Sequence, residues 1–135
     1  MAGYSGTPLV RKLGIKPGMA LSIVGAPTGY TRTLGALPAG TRYIRTLKGP
    51  LDLVHFFTTS RAELVARLPQ LIKALQPAGA LWISWPKQAS RVATDVTENV
   101  IRDVALPLGV VDVKVCAVDD TWSGLKLVRR LENRR

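Results

Sequence analysis

The sequence contains few of the residues that build metal centres and nucleophilic active sites. Its 135 residues include one cysteine, Cys116, and one histidine, His55. A single cysteine excludes a disulfide within the chain and is typical of a reducing compartment. One histidine and one cysteine do not form a recognisable transition-metal site, so we expect no metal ion.

The sequence also lacks a long apolar run. No segment approaches the roughly 18 consecutive apolar residues that a membrane-spanning helix needs. The N-terminal stretch MAGYSGTPLVRKLG contains no apolar signal core. We therefore expect a cytoplasmic protein for which a membrane is not a partner.

Acidic residues are scarce. Nine Asp or Glu face 19 Lys or Arg, for a net charge of +10. The segment up to Arg91 contains 12 basic and 2 acidic residues, whereas the remainder contains 7 of each. The positive electrostatic potential of such a chain attracts anionic small molecules or polyanions. Its simplest interpretation is a soluble basic surface, because charge alone identifies neither a fold nor a reaction.

An apolar segment, a capped helix and a second apolar segment follow one another in the middle of the chain. The segment 51–57, LDLVHFF, leaves few polar positions, as expected of a parallel strand covered on both faces. Ser60 and Glu63 form an S-x-x-E capping box ahead of a helix with one apolar face. A second strand, 80–85, follows the turn 76–79. A right-handed crossover between parallel strands is the simplest arrangement, so the class is α/β.

The remaining strands fit one domain over residues 1–135. Strands are predicted at 20–24, 41–47, 111–118 and 125–131, the last two as an antiparallel hairpin around the turn 119–124.

The remaining helices follow from capping patterns. Residues 1–18 predict an N-terminal helix and a turn. A short helix is predicted at 29–37 with Thr28 as its cap, and another after the cap pair Asp95 and Glu98. Pro69 predicts a kink or a restart in the central helix. Residues 132–135 are predicted to be a frayed tail.

Two stretches resemble class I methyltransferases, which bind S-adenosylmethionine on a Rossmann-like fold. LGIKPGMALSIVGAPTGY is similar to their first strand and glycine loop, and LDLVHFF with LQPAGALWIS is similar to their fourth and fifth strands. The resemblance implies a truncated three-layer sandwich with a mostly parallel six-stranded sheet ending in an antiparallel hairpin. The implied strand order is 2-1-3-4-6-5, with strand 5 or strand 6 antiparallel. The sequence, with SWPK, TDVTE and TWSGLKLV, also resembles a family of small bacterial proteins known only as a domain of unknown function.

The glycine loop departs from the methyltransferase pattern, in which an acid lies two residues before the first of three alternating glycines. Here Ile23 occupies the position of the acid, and Pro27 replaces the glycine between Gly25 and Gly29. Proline offers no amide and fixes φ, which opposes a close approach of the backbone to a cofactor. The second acid of the pattern is replaced by RTLK at 45–48. We therefore expect no cofactor and a non-catalytic module, with methyl transfer through a diverged loop as an alternative.

Ligands of open α/β sheets bind beyond the carboxyl ends of the strands. The loops predicted there carry cations and hydroxyls that suit an anionic small molecule. The candidate ligand-binding residues are Gly25, Thr28, Gly29, Arg32, Lys48, Thr59, Arg61, Trp85, Lys87, Ser90 and Arg91. Arg32 lies in the first turn of a predicted helix, where a cation opposes the helix dipole unless an anion is near. The favoured hypothesis is a ligand-binding or regulatory module, and the simpler alternative is a row of solvated side chains.

Two further functions stay open. Nonspecific nucleic-acid binding is an alternative because of the positive charge and of Arg42, Arg45 and Lys48 on a short edge strand, although no stacking or groove-binding motif accompanies them. Trp85 and Trp122, next to turns, permit a protein-interaction module, but such residues are more often part of the core. The sequence leaves the oligomeric state open.

Two residues with chemical potential are predicted to be structural. His55 is interpreted as a core histidine with satisfied hydrogen bonds, because the nearest acid, Asp52, lies on the opposite face of the strand. Cys116 alternates with apolar neighbours and is interpreted as an inert buried thiol.

Overall fold

The computed structural model describes residues 6–134, so the part of the predicted N-terminal segment at 1–5 and the last tail residue lie outside the described residues. The strands are β1 (Ala20–Val24), β2 (Arg42–Tyr43), β3 (Leu51–Phe57), β4 (Leu75–Pro86), β5 (Val110–Ala117) and β6 (Trp122–Arg129). The helices are α1 (Leu9–Leu13), α2 (Tyr30–Leu34), α3 (Arg61–Lys73) and α4 (Glu98–Ala105). None of these helices is long and apolar enough to cross a membrane.

The six strands form one sheet in the order β2-β1-β3-β4-β6-β5, which confirms the predicted order. The pairs β1–β2, β1–β3 and β3–β4 are parallel. Strand β6 runs antiparallel to both β4 and β5. The antiparallel strand is therefore β6, which lies between β4 and β5 as expected.

Helices cover both faces of the sheet and complete the predicted three layers. On one face, α3 and α4 bury their apolar residues against Val54, Phe56 and Leu81. On the other face, α1 and α2 pack over Leu53, Phe57 and Trp82. Alternate residues of β3 enter opposite layers, which is why this segment is apolar almost throughout.

The first part of the chain is less regular than predicted. Strand β2 spans two residues rather than seven, and both of its side chains are exposed at the edge of the sheet. Helix α2 begins at Tyr30, and Gly29 rather than Thr28 occupies its N-cap position. Gly29 adopts a left-handed φ of 88°, and no side chain caps the helix. The cap assigned to Thr28 is therefore wrong, because the turn uses glycine's backbone freedom instead of a side-chain acceptor.

Helix α3 begins where the capping box placed it. The Ser60 hydroxyl accepts the Glu63 N–H at 3.1 Å, but the Glu63 carboxylate accepts the Thr58 hydroxyl at 2.5 Å rather than closing the box. The helix is continuous through Pro69, so the predicted restart is wrong. Pro69 and Val65, whose carbonyl loses its helical donor, both lie on the exposed side of the helix, where water can replace the missing bond.

Asp95, which was predicted to cap α4, bonds to the start of α3 instead. The Thr97 hydroxyl caps α4 by accepting the Val100 N–H at 3.2 Å. The Asp95 carboxylate instead accepts the N–H of Arg61, the first residue of α3, at 2.6 Å. Asp95 therefore joins the starts of two helices that are adjacent in space.

Up to Arg134, the C-terminal tail is hydrogen-bonded to the hairpin and to the residue before it, contrary to the predicted fraying. Residues Leu131–Asn133 form a turn of 3₁₀ helix. The Asn133 side chain donates to the Gly109 carbonyl at 3.0 Å, and the Arg134 guanidinium donates to the Arg129 carbonyl at 2.8 Å.

Candidate functional site

The predicted residues after β4 come together at the carboxyl end of that strand. Trp85, Lys87 and Arg91 line a cavity of about 650 Å³, together with Thr97 and Glu98 at the start of α4. Ser90 shapes the loop beside it, because its hydroxyl donates to the Lys87 carbonyl at 2.7 Å. Two cations of the predicted set therefore converge on one concave surface.

The backbone of Arg91 adopts an unusual conformation in this loop. Its φ of 61° makes it the one non-glycine residue of the described chain in the left-handed region. This conformation costs an L-residue roughly 1–2 kcal/mol. Arg91 ends the short 3₁₀ turn Gln88–Ser90, and its N–H donates to the Gln88 carbonyl at 3.1 Å. Strain of this kind is common at functional sites.

The start of α3 lies beside this cavity but is already occupied by the protein's own groups. The Thr59 carbonyl accepts the Thr94 hydroxyl at 2.8 Å, and Asp95 takes the amide of Arg61. An incoming anion at this helix end would meet the Asp95 carboxylate. Thr59 and Arg61 therefore support the loop that carries the cavity.

The loop between β1 and α2 forms a separate part of the predicted rim. A Cβ atom on Gly25 would lie 2.7 Å from the Phe57 carbonyl oxygen, and Gly25 has a φ of 72°. Close packing against β3 therefore explains this glycine without a cofactor. Arg32 is exposed on a helix of five residues, so it lies as near the end as the beginning and does not indicate an anion.

Lys48 does not lie at the rim, which corrects the sequence prediction. Its neighbours Leu47 and Gly49 line a cavity at the far end of α3, with Lys73 and Ala74. A Cβ atom on Gly49 would lie 2.2 Å from the Ala74 carbonyl oxygen. Because β2 and β3 are both parallel to β1, the chain must return to the amino end of the sheet before β3 begins, and Lys48 returns with it.

His55 lies at the centre of a hydrogen-bonded group. Its Nδ1 lies 2.6 Å from the Tyr30 hydroxyl and its Nε2 lies 2.7 Å from the Ser84 hydroxyl. The ring is fully buried, and burial lowers its pKa to about 3. Burial also raises the pKa of Tyr30. A neutral imidazole therefore accepts at one nitrogen and donates at the other, as predicted for a satisfied core histidine.

Sequence reasoning did not identify the partners of His55. Tyr30 and Ser84 are 25 and 29 residues away and come from α2 and β4. No local motif links them, because the contact exists only after the sheet and α2 have assembled. The same layer contains Phe57, which stacks on His55 with ring centroids 4.1 Å apart.

The two tryptophans considered for a protein interface are core residues to different degrees. Trp85 is 7% exposed and belongs to the layer under α3 and α4. Trp122 is partly buried and meets the Phe57 ring edge-on, with centroids 5.2 Å apart. Cys116 is partly buried as well, and burial raises the pKa of its thiol, with the nearby Lys12 and Lys114 acting in the opposite direction.

Comparison with solved structures shows a methyltransferase-like Rossmann fold. The chain superposes on a SAM-dependent methyltransferase from Aquifex aeolicus with a TM-score of 0.60 and 16% identity, over 88% of this chain and 86% of that one. The magnesium protoporphyrin IX methyltransferase of Synechocystis PCC 6803 with bound SAH gives 0.60 and 16%, over 90% and 78%. A ribosomal protein methylase from Lactobacillus delbrueckii subsp. bulgaricus gives 0.60 and 15%, over 90% and 75%. No protein-family model matches the sequence, and no curated protein matches it.

The residues present do not fit S-adenosylmethionine in the manner of the methyltransferase pattern. Ile23, at the position of the first acid, lines an apolar cavity of about 410 Å³ with Tyr30, Leu34 and Tyr43. Gly25 packs on β3, and Pro27 has no amide to donate. Within residues 6–134, no group of three or more His, Cys, Asp or Glu side chains could hold a metal ion.

Proposed function

We propose that this protein is a ligand-binding or regulatory module that takes an anionic small molecule at the carboxyl end of β4. The observation that carries the proposal is the cavity of about 650 Å³ into which Lys87 and Arg91 converge. Its volume is in the usual range for small-molecule sites. Its location agrees with the general rule that open α/β sheets bind ligands beyond the carboxyl ends of their strands.

The charges around this cavity favour an anion. The one acid in its lining is Glu98, which forms an ion pair with Arg102 four residues later on α4. The only carboxylate in the cavity lining is therefore already paired, and the positive charges of Lys87 and Arg91 remain available to an anion. Arg91 can bind a phosphate or carboxylate through two parallel N–H donors, and Lys87 acts as a point charge.

Isothermal titration calorimetry tests this proposal with nucleotides, phosphorylated metabolites and dicarboxylic acids as probes. We expect at least one phosphate- or carboxylate-bearing compound to bind at millimolar concentration or below. The Lys87→Ala and Arg91→Gly variants should weaken binding by about tenfold each, since a lost charge-assisted contact costs roughly 1.5–3 kcal/mol. Absence of binding across the whole panel would refute the proposal.

Arg91→Gly separates a ligand-binding role from a structural one. Glycine adopts the left-handed conformation without strain, so this variant should be as stable as the natural protein or up to about 1 kcal/mol more stable. Loss of ligand with unchanged stability would support a binding role. Lys73→Ala, which removes a charge at the opposite end of the sheet, is the matched control and should leave the affinity unchanged.

Methyl transfer is the second candidate, because the structural neighbours are SAM-dependent methyltransferases. Identities of 15–16% carry the fold to this chain but not the activity. Titration with S-adenosylmethionine and S-adenosylhomocysteine distinguishes the candidates. Micromolar binding that survives in Arg91→Gly would move the cofactor to the β1–α2 loop and favour the methyltransferase. Absence of binding would favour the anion module.

A further inference from the structure

A β-bulge in β5 divides the hairpin β5–β6 into two kinds of surface. Asp112 pairs with Leu127, and the next paired residue, Lys114, faces Lys126, so Val113 is the extra residue. In a regular strand, residues two apart share a face. The bulge breaks this rule and turns Lys114 to the face opposite Asp112.

The consequence is a pair of like charges directly opposite each other. Lys114 and Lys126 are cross-strand partners on the face covered by α1. Side chains in such pairs lie about 4.5–5.5 Å apart at Cβ, and like charges there are destabilising. Burial together with Lys114 and Lys16 lowers the pKa of Lys126. Of the described acids, none forms a salt bridge with Lys114 or Lys126.

The lysine pair belongs to a larger basic surface, which we call the lysine face. It consists of Arg11, Lys16, Lys114 and Lys126, which come from α1, the loop after it, β5 and β6, with the buried Lys12 beneath them. Helix α1 contributes to holding the lysines in place, because the Lys114 ammonium donates to the Lys12 carbonyl at 3.3 Å. The Lys12 ammonium in turn donates to the Ala117 carbonyl at 3.3 Å.

The lysine face is concave in two places. Arg11, Lys12 and Lys114 line a shallow cavity of about 510 Å³ along the edge strand β5. Lys16 and Lys126 line a smaller hollow of about 180 Å³ beyond Gly14, together with Asp52, whose carboxylate accepts the Ala20 N–H at 2.8 Å. A single small anion can contact the lysines of one of these hollows, whereas a chain of phosphates can contact those of both.

We infer that the lysine face binds the phosphodiester backbone of a nucleic acid without reading its sequence. Lysine ammonium groups suit phosphates as point charges, and binding would relieve the repulsion between Lys114 and Lys126. The cavity linings on this face contain no aromatic ring that could stack on a base. This binding surface is separate from the cavity at Lys87 and Arg91 and goes beyond the function proposed for it.

Fluorescence anisotropy of the full chain tests this inference. The probes are labelled single-stranded RNA of about 20 nucleotides and duplex DNA of about 20 base pairs, each at about 50 and 200 mM salt. We expect at least one probe to bind, and to bind much more weakly at the higher salt. The double variant Lys114→Gln/Lys126→Gln should weaken binding at low salt by about tenfold or more. It should also lower the slope of log affinity against log salt by about 1.4 to 1.8, for two lost phosphate contacts.

The matched control is Arg42→Gln/Arg45→Gln, which removes the same charge from the edge of the sheet at β2. This variant should retain binding within about threefold. The variant Lys114→Arg/Lys126→Arg, which keeps both positive charges, should bind the probes as the natural protein does. Equal losses in the two glutamine variants would mean that net charge alone attracts the probe, and would overturn the inference.

Two other results would overturn it. One is the absence of binding to both probes at low salt. The other is saturable one-site binding of pyrophosphate that depends on Lys114 and Lys126 and fully displaces the RNA, which would make the lysine face a small-anion site. Because the lysine variants leave Lys87 and Arg91 intact, these results are independent of the ligand titrations proposed for the β4 cavity.

Discussion

The two faces of the sheet stabilise the protein in different ways. Under α3 and α4 the buried layer is apolar apart from hydroxyl groups such as that of Ser22, which has no hydrogen-bond partner among the described residues. The charged groups of this face lie at the surface, where Arg102 contacts Glu98 and Asp112. Under α1 and α2 the layer includes His55 with its two hydroxyl partners, and the lysine face adjoins it. The apolar layer under α3 and α4 therefore gives stability that changes little with pH or salt, whereas the buried histidine on the other face links stability to pH.

The hairpin shows this difference at a single point. Asp112 points to α4 and forms a 2.9 Å ion pair with Arg102, whereas Lys114 points to α1 and faces another lysine. The face that holds the ion pair is internally neutralised. The face that holds the lysines has an excess of positive charge, which is the physical reason to look for an anionic ligand there.

The largest effect is expected from truncation on the apolar face. Leu68→Ala removes a fully buried side chain of α3 and should lower the free energy of unfolding by about 2–5 kcal/mol, through lost burial and the cavity left behind. Urea denaturation at pH 6 and pH 8 measures it, and the loss should be equal at both. The control is Val65→Ala, since Val65 lies on the same helix and is 51% exposed. This variant should change stability by less than about 0.5 kcal/mol.

His55 provides the corresponding test on the polar face. Its folded-state pKa of about 3 lies below the ordinary 6.5, so the unfolded chain binds the proton first. Stability should be complete above pH 6.5 and should fall towards pH 3, with a slope of up to about 1.4 kcal/mol per pH unit. His55 is the only histidine, so His55→Phe should flatten the slope between pH 5 and 6.5. A slope that persists in this variant would contradict the assignment.

His55→Phe should also lower stability at pH 7. It leaves the Tyr30 and Ser84 hydroxyls without their partner, and each unsatisfied buried group costs about 1–3 kcal/mol. The double variant with Tyr30→Phe should recover part of the loss, because it removes one of the unpaired hydroxyls. No recovery would indicate that the Tyr30 hydroxyl finds another partner.

A smaller effect is expected from Arg102→Ala at the surface of the apolar face. Hydrogen bonding to Arg102 lowers the pKa of Asp112, so the ion pair stabilises the fold above the ordinary carboxyl range and is lost as pH falls through it. The variant should melt at a lower temperature at pH 7, and its difference from the natural protein should narrow below about pH 4 and in high salt. A difference that does not vary with pH would assign the effect of Arg102 to packing.

The smallest effect is expected from Lys114→Gln on the lysine face, and its sign is opposite. The Lys114 ammonium makes only a long contact of 3.3 Å with the Lys12 carbonyl, and the repulsion from Lys126 disappears in the variant. Stability at low salt should rise by about 0.5 kcal/mol, and thermal unfolding in high salt should show no gain. A loss of stability at low salt would mean that the Lys114 ammonium is needed to hold α1.

Local signals in the sequence were enough to predict the central unit, whereas the order of strands came from the resemblance to class I methyltransferases. The apolar segment of β3, the Ser60 cap and the return into β4 depend on neighbours in the chain, so propensity and patterning predict them. The antiparallel hairpin was visible for the same reason. Predicted boundaries failed at β2 and at the C-terminal tail, where contacts with the rest of the fold decide which residues pair.

The candidate site could be predicted only in part. Trp85, Lys87 and Arg91 follow one strand closely, and the rule for carboxyl ends placed them correctly. Lys48 failed because its loop crosses to the other end of the sheet before β3 begins. The cap assigned to Asp95 failed because a carboxylate bonds to whichever free amide is nearest in space, and here that amide is in α3.

By itself, therefore, the sequence determined the α/β class and the excess of positive charge, which follow from periodicities of two and 3.6 residues and from composition. Its resemblance to class I methyltransferases implied the strand order. Only the tertiary structure decided which charges meet. It pairs His55 with groups 25 and 29 residues away, and it uses one bulge at Val113 to set Lys114 against Lys126. A bulge has no fixed sequence signature. Because side chains alternate along a strand, it nevertheless moves every later side chain of that strand to the opposite face of the sheet.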